Sequence, residues 1–376
     1  MTDTRAELAT RSWRTSIRVA TPPWILARVL VVGALVLTRR VFDAAPGRRP
    51  VPLGQGLFAW DAAYYRVIAE HGYGDLPRAA LRFFPLYPLA GRGLGTVLLG
   101  HDALALLVIA SLAAWGFGVL VHRLAWRETG DEGVARRAAW YAALFPAGAV
   151  LVLGYADALA LVLAVACFLA LRDERFGWAG AFGLLAGCTR PLGVLLVVPA
   201  LVEVLRHRHG IPWRGWVARA AAVVGPGVGL GVYLAWVGAT RSDPWLPFSV
   251  QQRASLRGHF VDPATRLVRA ASDLAGGDRF GSGLHLVWAI AFLALLVVVA
   301  RRLPASYTAY AAVTLLVALS ADNLDSLERY ALGAFPLLLA LALVTARPTV
   351  ERTAIVLAGA GLVAWSVLAF AGLSVP

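Results

Sequence analysis

Apolar runs of membrane-crossing length recur along this chain from residue 22 to residue 373, and they restrict the fold more than any other feature. A helix needs about 20 apolar residues, range about 17–25, to cross the hydrocarbon core of a bilayer. Candidate spans are 22–38, 103–125, 137–153, 155–171, 178–190 with 191–205, 216–240, 284–300, 304–321, 330–346 and 353–373. They predict an all-α polytopic membrane helix bundle with about eleven transmembrane helices, several of them short. The composition agrees: 59% of residues are hydrophobic and 15% charged, whereas a soluble domain carries about 25% charge. A water-soluble fold, a disordered chain and a disulfide scaffold are excluded. Cys167 and Cys188 both sit in apolar segments and form no framework.

Thirty-five basic residues against 22 acidic ones give a net charge of +13, and every basic residue is arginine. A basic balance can signal nucleic acid. Here the arginines fall between apolar runs, so no nucleic-acid partner is expected; topology and lipid phosphate account for them better. Arg123, Arg127, Arg136 and Arg137 surround one connection, and Arg172 and Arg175 mark another. Arg206, Arg208, Arg214 and Arg219, then Arg301 and Arg302, then Arg347 and Arg352 follow at alternate connections. The positive-inside rule places all of these in the cytoplasm, with the N-terminus inside and the C-terminus outside. The basic N-terminus (Arg5, Arg11, Arg14, Arg18) has no cleavage site after a short apolar core, so the first span is read as retained.

Two long segments then fall outside, at 43–102 and 241–283. The first holds Phe58-Ala59-Trp60-Asp61-Ala62-Ala63-Tyr64-Tyr65, then Ile68, His71 and Tyr73. Helical spacing puts Trp60, Tyr64, Val67, Ile68 and His71 on one face, as in an interfacial amphipathic helix. Asp61 lies at its start, where a carboxylate suits the helix dipole. Pro85 and Pro88 predict a rigid helix-breaking turn, with a second helix after it in the outer leaflet. Further clusters fall at outer ends: Phe145-Pro146-Ala147-Gly148, Gly154-Tyr155-Ala156-Asp157, Thr189-Arg190-Pro191, Gln251-Gln252-Arg253 and Glu328-Arg329-Tyr330. Asp157 and Arg190 are charges within or beside apolar helices, which marks them for function; a purely structural Asp157–Arg190 pair is the alternative. No P-loop, no GxGxxG after a strand, no Asp-x-Asp and no metal-ligand histidine spacing occurs.

Taken in order, these motifs resemble a known family. Trp60-Asp61 with Tyr65, Ile68-Ala69 and Gly72-Tyr73 is similar to the luminal-loop signature of the PIG-V-like mannosyltransferases. That family includes GPI mannosyltransferase II and belongs to the GT-C superfamily. Phe84-Pro85-Leu86-Tyr87-Pro88, Phe145-Pro146-Ala147 with Gly154-Tyr155, and Arg329-Tyr330 with Phe335-Pro336 resemble its later signatures. Thr189-Arg190-Pro191-Leu192-Gly193 resembles its Arg-Asn-Gly segment, with Pro-Leu in place of Asn.

The resemblance implies a single GT-C-like transmembrane domain over 22–376, preceded by a cytoplasmic tail at 1–21. It implies an inverting mannosyltransferase in a bacterial plasma membrane, with its active site on the outer face. Polyprenyl-phosphate mannose would be the donor and a lipid-linked or glycan molecule the acceptor. Membrane lipids and a small accessory membrane subunit complete the partners. An activated lipid-phosphate sugar requires neither nucleotide nor metal, so no cofactor is expected. Asp61 would be the general base, and Arg190, Arg253 and Arg329 would hold the leaving phosphate. Trp60, Tyr65, His71, Asp157, Gln251 and Tyr330 would line the substrate site. A lipid or solute transporter or flippase is the main rival, and a non-catalytic scaffold the third reading; neither calls for long aromatic, arginine-rich outer segments. The topology predicts that a cysteine at position 75 reacts with an impermeant thiol reagent on intact cells while one at 131 does not; the reverse pattern would invert the assignment.

Overall fold

A computed structural model describes residues 2–44, 47, 49–206, 212–253, 256–277 and 282–375, without the side chains of 2–12 and 282. Arg208 of the 206–215 connection and parts of the 43–102 and 241–283 segments lie outside the described residues. Among the described residues the chain forms α-helices, short 3-10 turns and no strand. The helices are α1 Thr2–Ala44, α2 Val51–Gln55, α3 Asp61–His71, α4 Leu86–Val97, α5 Asp102–Thr129 and α6 Glu132–Leu144. They continue with α7 Asp157–Arg172, α8 Phe176–Thr189, α9 Val197–Arg206, α10 Trp213–Arg241, α11 Leu246–Gln251 and α12 Pro263–Ala275. The last five are α13 Ser282–Arg302, α14 Ala305–Leu319, α15 Leu327–Leu332, α16 Pro336–Val344 and α17 Pro348–Phe370.

Five of these are long and apolar enough to cross a membrane: Trp13–Ala44 within α1, then α5, α10, Gly283–Arg302 within α13, and α17. With the apolar composition they make the chain an integral membrane protein. Two shorter apolar helices, α8 and α14, accompany them. Against about eleven expected spans, the 155–171 run forms the unbroken but short α7, and others are interrupted. The 137–153 run ends its α-helix at Leu144, before Pro146, and continues as a 3-10 turn over Gly148–Leu151. The 330–346 run splits into α15 and α16 at Pro336. Proline lacks the N–H that a helix interior needs, and non-helical backbone at membrane depth is tolerated where protein buries it. Leu151 is 3% exposed and Phe335 fully buried.

The prolines at 85 and 88 act differently from the expectation. Pro85 caps α4, and Pro88 sits inside its first turn. The first N–H groups of a helix have no intrahelical acceptor, so proline is tolerated there. The run therefore starts a helix instead of breaking one.

α8 and α10 approach through glycines. A Cβ on Gly229 would lie 2.0 Å from the Leu184 carbonyl oxygen, and one on Gly187 would lie 2.3 Å from that of Pro226. Gly180 and Gly225 are equally closed to a side chain. Such small-residue seams let helix backbones meet directly, and this one fixes the height of the α8 C-terminus, where Arg190 follows. At the opposite end of α7, Arg172 bonds both Glu128 (2.9 Å) and Glu203 (3.1 Å), and Ser306 donates to Glu203. This cluster ties α5, α7, α9 and α14 together. Gly229→Ala is expected to destabilise by about 1–3 kcal/mol through overpacking, while Gly231→Ala, which meets nothing within 4 Å, leaves the thermal midpoint of the purified protein unchanged or raised. Equal midpoints for the two variants would refute the seam.

Candidate functional site

The segment before α3 is built for a close approach. Trp60 has φ 59° and ψ −127°, a region that costs a non-glycine residue about 1–3 kcal/mol. Three contacts hold it: its indole Nε1 donates to the Ala369 carbonyl at 2.9 Å, its N–H to Gln55, and the Asp61 N–H to the Tyr155 hydroxyl at 3.2 Å. Gly154 makes room for this segment, because a Cβ there would fall 2.7 Å from the Phe58 ring. Its N–H donates to Leu57 at 3.0 Å. The Gly154-Tyr155 motif thus supports Asp61 from below.

Tyrosine hydroxyls pin the rest of the 43–102 segment. Tyr73 donates to Phe83 (2.6 Å), Tyr233 to Leu81 (2.8 Å) and Tyr87 to Leu106 (3.0 Å). Tyr65 packs edge-on against Phe83 and Tyr87 at 5.0 and 5.1 Å. Together with Ile68, Ala69 and Phe84 these rings form a second hydrophobic core beside the main one. The buried residues of α3 are therefore Ala62, Tyr65, Ile68 and Ala69, not the expected Trp60–Tyr64–Val67–Ile68–His71 stripe. Trp60 precedes the helix, and His71 is exposed at its far end.

The charges converge on Arg329. Its Nε and Nη2 donate to Asp157 at 3.0 and 2.9 Å, and its Nη1 donates to Asp61 at 2.9 Å. Arg190 also bonds Asp157, and Arg82 bonds Asp61 at 3.2 Å. Asp157 opens α7 and is 3% exposed; the N-terminal end of the helix dipole favours its carboxylate. Pro191 excludes the helical conformation for the residue before it, so Arg190 is extended (φ −153°, ψ 151°) and turns away from α8. Gly193 then permits the fold-back, since its Cβ would strike the Ala186 carbonyl at 2.2 Å. Asp61 opens α3 as expected; its side chain is 22% exposed and held by two arginines.

These groups face a cavity of about 310 Å³ lined by Asp61, Tyr65, Arg82, Arg190, Gln251, Arg257, Arg329 and Tyr330. Asp157 lies behind it, in an adjoining recess shared with Arg190 and Arg329. Four guanidiniums meet two carboxylates, leaving two positive charges in excess. Arg257 accounts for much of that excess. Its Nη2 donates to the Ala318 carbonyl at 2.8 Å, its guanidinium stacks 4.1 Å from the Tyr330 ring, and no carboxylate pairs with it among the described residues. Burial raises the Tyr65 phenol above the ordinary tyrosine range, so it stays protonated.

Of the residues singled out from sequence, Asp61, Tyr65, Arg190, Gln251, Arg329 and Tyr330 line this cavity, with Asp157 behind them. Three do not. Trp60 anchors backbone and borders a different recess. His71 lies at the far end of α3. Arg253 is exposed in the turn after α11, four residues from Arg257. Sequence reasoning missed Arg82 and Arg257. Arg82 directly precedes Phe83-Phe84 in sequence, which was the available signal; its guanidinium lies 4.7 Å from the Phe83 ring and 5.5 Å from the Tyr64 ring. Arg257 carried none, because only the loop path decides which arginine of that segment turns inward. Among the described residues no three His, Cys, Asp or Glu side chains converge as metal ligands.

Neither family models nor curated proteins match the sequence. Among solved structures, the Archaeoglobus fulgidus oligosaccharyltransferase, described in complex with zinc and sulfate, aligns at 13% identity and a TM-score of 0.43. The alignment covers 92% of this chain and 52% of that one, so the chain spans about half of its length. A likeness this loose carries no conclusion about fold or chemistry.

The network makes Arg329, not Arg190, the main partner of Asp157. Arg329→Ala is expected to cost about 3–5 kcal/mol, the range for removing one side of a buried ion pair. Arg190→Ala should cost less, because Asp157 keeps both Arg329 bonds. Thermal unfolding of the two variants side by side checks the order.

Proposed function

We propose that the chain is a membrane glycosyltransferase of the GT-C type, PIG-V-like, that takes its sugar from polyprenyl-phosphate mannose on the outer face of the membrane. One observation carries this reading: the Asp61 carboxylate and four arginines line a single cavity. The donor is already activated, so the protein must position it, accept a proton and stabilise the departing phosphate.

An ionised carboxylate offers about four lone-pair sites. Arg329 and Arg82 occupy one on each oxygen, leaving Asp61 able to accept from a hydroxyl in the cavity. In the proposed step the acceptor oxygen attacks the anomeric carbon from the side opposite the phosphate and its proton passes to Asp61. The bond from carbon to phosphate oxygen breaks with its electron pair going to the phosphate. Configuration inverts. Arg257, with most of its donors unspent, is the first ligand assigned to the phosphate, and Arg190 the second. Tyr65 and Gln251 offer neutral donors to sugar hydroxyls. The acceptor is a lipid-linked or glycan hydroxyl.

Transfer from radiolabelled polyprenyl-phosphate mannose tests the reading. Asp61→Asn should lower the rate by about 10²–10⁴, the worth of a positioned base, while donor binding persists. Arg257→Gln should weaken donor binding by about 10–100-fold, as for loss of a charge-assisted hydrogen bond. Wild-type protein that binds the donor and moves it between leaflets without transfer would establish the transporter reading instead.

A further inference from the structure

α15 brings Arg329 and Tyr330 to the cavity, yet it is only six residues long and has no side-chain N-cap. A helix this short does not hold its own shape or orientation. Ser326 enters it in the left-handed region at φ 61°, and the 3-10-like turn to Pro336 leaves it. Something outside α15 must therefore fix its rotation.

Two polar anchors do so from different sides. Arg329 reaches Asp157 and Asp61. Its neighbour Glu328, 1% exposed, receives a hydrogen bond from His285 Nδ1 on α13 at 2.7 Å. His285 is itself 7% exposed and borders a separate recess of about 130 Å³ with Trp60, Asp325 and Ser326. Successive helix residues point about 100° apart, so the anchors pull along different directions and only one rotation satisfies both. The neighbour also has the opposite sign. A turn of α15 by one residue would bring the Glu328 carboxylate toward Asp157 and Asp61, placing three carboxylates together where a guanidinium now joins two.

We propose that His285 is a positioning residue for the cavity: by holding Glu328 it sets the rotation of α15 and so places Arg329 and Tyr330. This rests on the geometry and not on the transferase reading, and its test uses no substrate.

The test takes the full-length protein with Cys167→Ala and Cys188→Ala and a reporter Tyr330→Cys in the cavity wall. An anionic methanethiosulfonate, which the arginine-rich cavity attracts, modifies the reporter, and the rate is read by mass spectrometry. Adding His285→Leu should lower that rate by about tenfold or more, as expected when a site turns out of an open cavity. His285→Asn, which keeps a donor near the Nδ1 position, should restore it to within about threefold. Should His285→Leu not fold, the pair His285→Leu with Glu328→Leu removes both polar groups and leaves no buried carboxylate unpaired; it too should lose labelling. A reporter labelled at the original rate in either leucine variant would overturn the proposal. Equal loss in the leucine and asparagine variants would overturn it also, because a structural role of the imidazole volume would then suffice.

Discussion

The cavity depends on one guanidinium shared between two carboxylates. Arg329 stands 172 residues from Asp157 and 268 from Asp61 in sequence, and it bonds both. In a medium of low dielectric such charges are costly alone and strongly coupled together. The sharing also explains why the cluster is not simply a neutralised pair. Asp157 accepts three hydrogen bonds from two arginines behind the cavity, whereas Asp61 accepts two and borders the open cavity. The difference divides two chemically identical groups into a structural one and an accessible one.

What surrounds the cluster serves to bring its members to one depth. Each arrives at a break in helical structure: Asp61 after a strained residue, Asp157 after the Gly154-Tyr155 turn, Arg190 before a proline, Arg329 on a helix of one and a half turns. Helix ends have unpaired backbone groups and admit polar side chains. A bundle of unbroken helices would offer no such ends within its body. The interrupted apolar runs are thus the source of the site.

The same breaks decide what could be read from the sequence. The α-helical class, the apolar runs and the residues at their ends were legible, because hydropathy and helix-breaking residues are local signals. The number of full-length spans was not, since Pro146 and Pro336 split runs whose hydropathy is continuous. Asp157 and Arg190 were visible as charges within or beside apolar helices, and Asp61 as a carboxylate at the start of an amphipathic segment. Arg257 was invisible beside Arg253, because the inward turn of that loop is a tertiary outcome. The face of α3 was misjudged because helical periodicity counts apolar side chains without knowing which neighbour covers them; Tyr65 faces the aromatic rings of Phe83 and Tyr87, contacts that no periodicity contains.

The link between Trp60 and Ala369 spans 309 residues, and it bears on the order in which the molecule comes into being. A chain is made from its N-terminus, so Asp61 and Asp157 are both synthesised before the arginine that joins them. The indole of Trp60 has no acceptor until α17 has entered the membrane. The 43–102 segment can pack much of its aromatic core early, since α3, α4 and α5 are close in sequence, with Tyr233 of α10 joining later. The ring of charges closes only late in synthesis, and a chain cut short before α15 keeps the Tyr155 link to Asp61 but lacks the guanidinium that joins the two carboxylates.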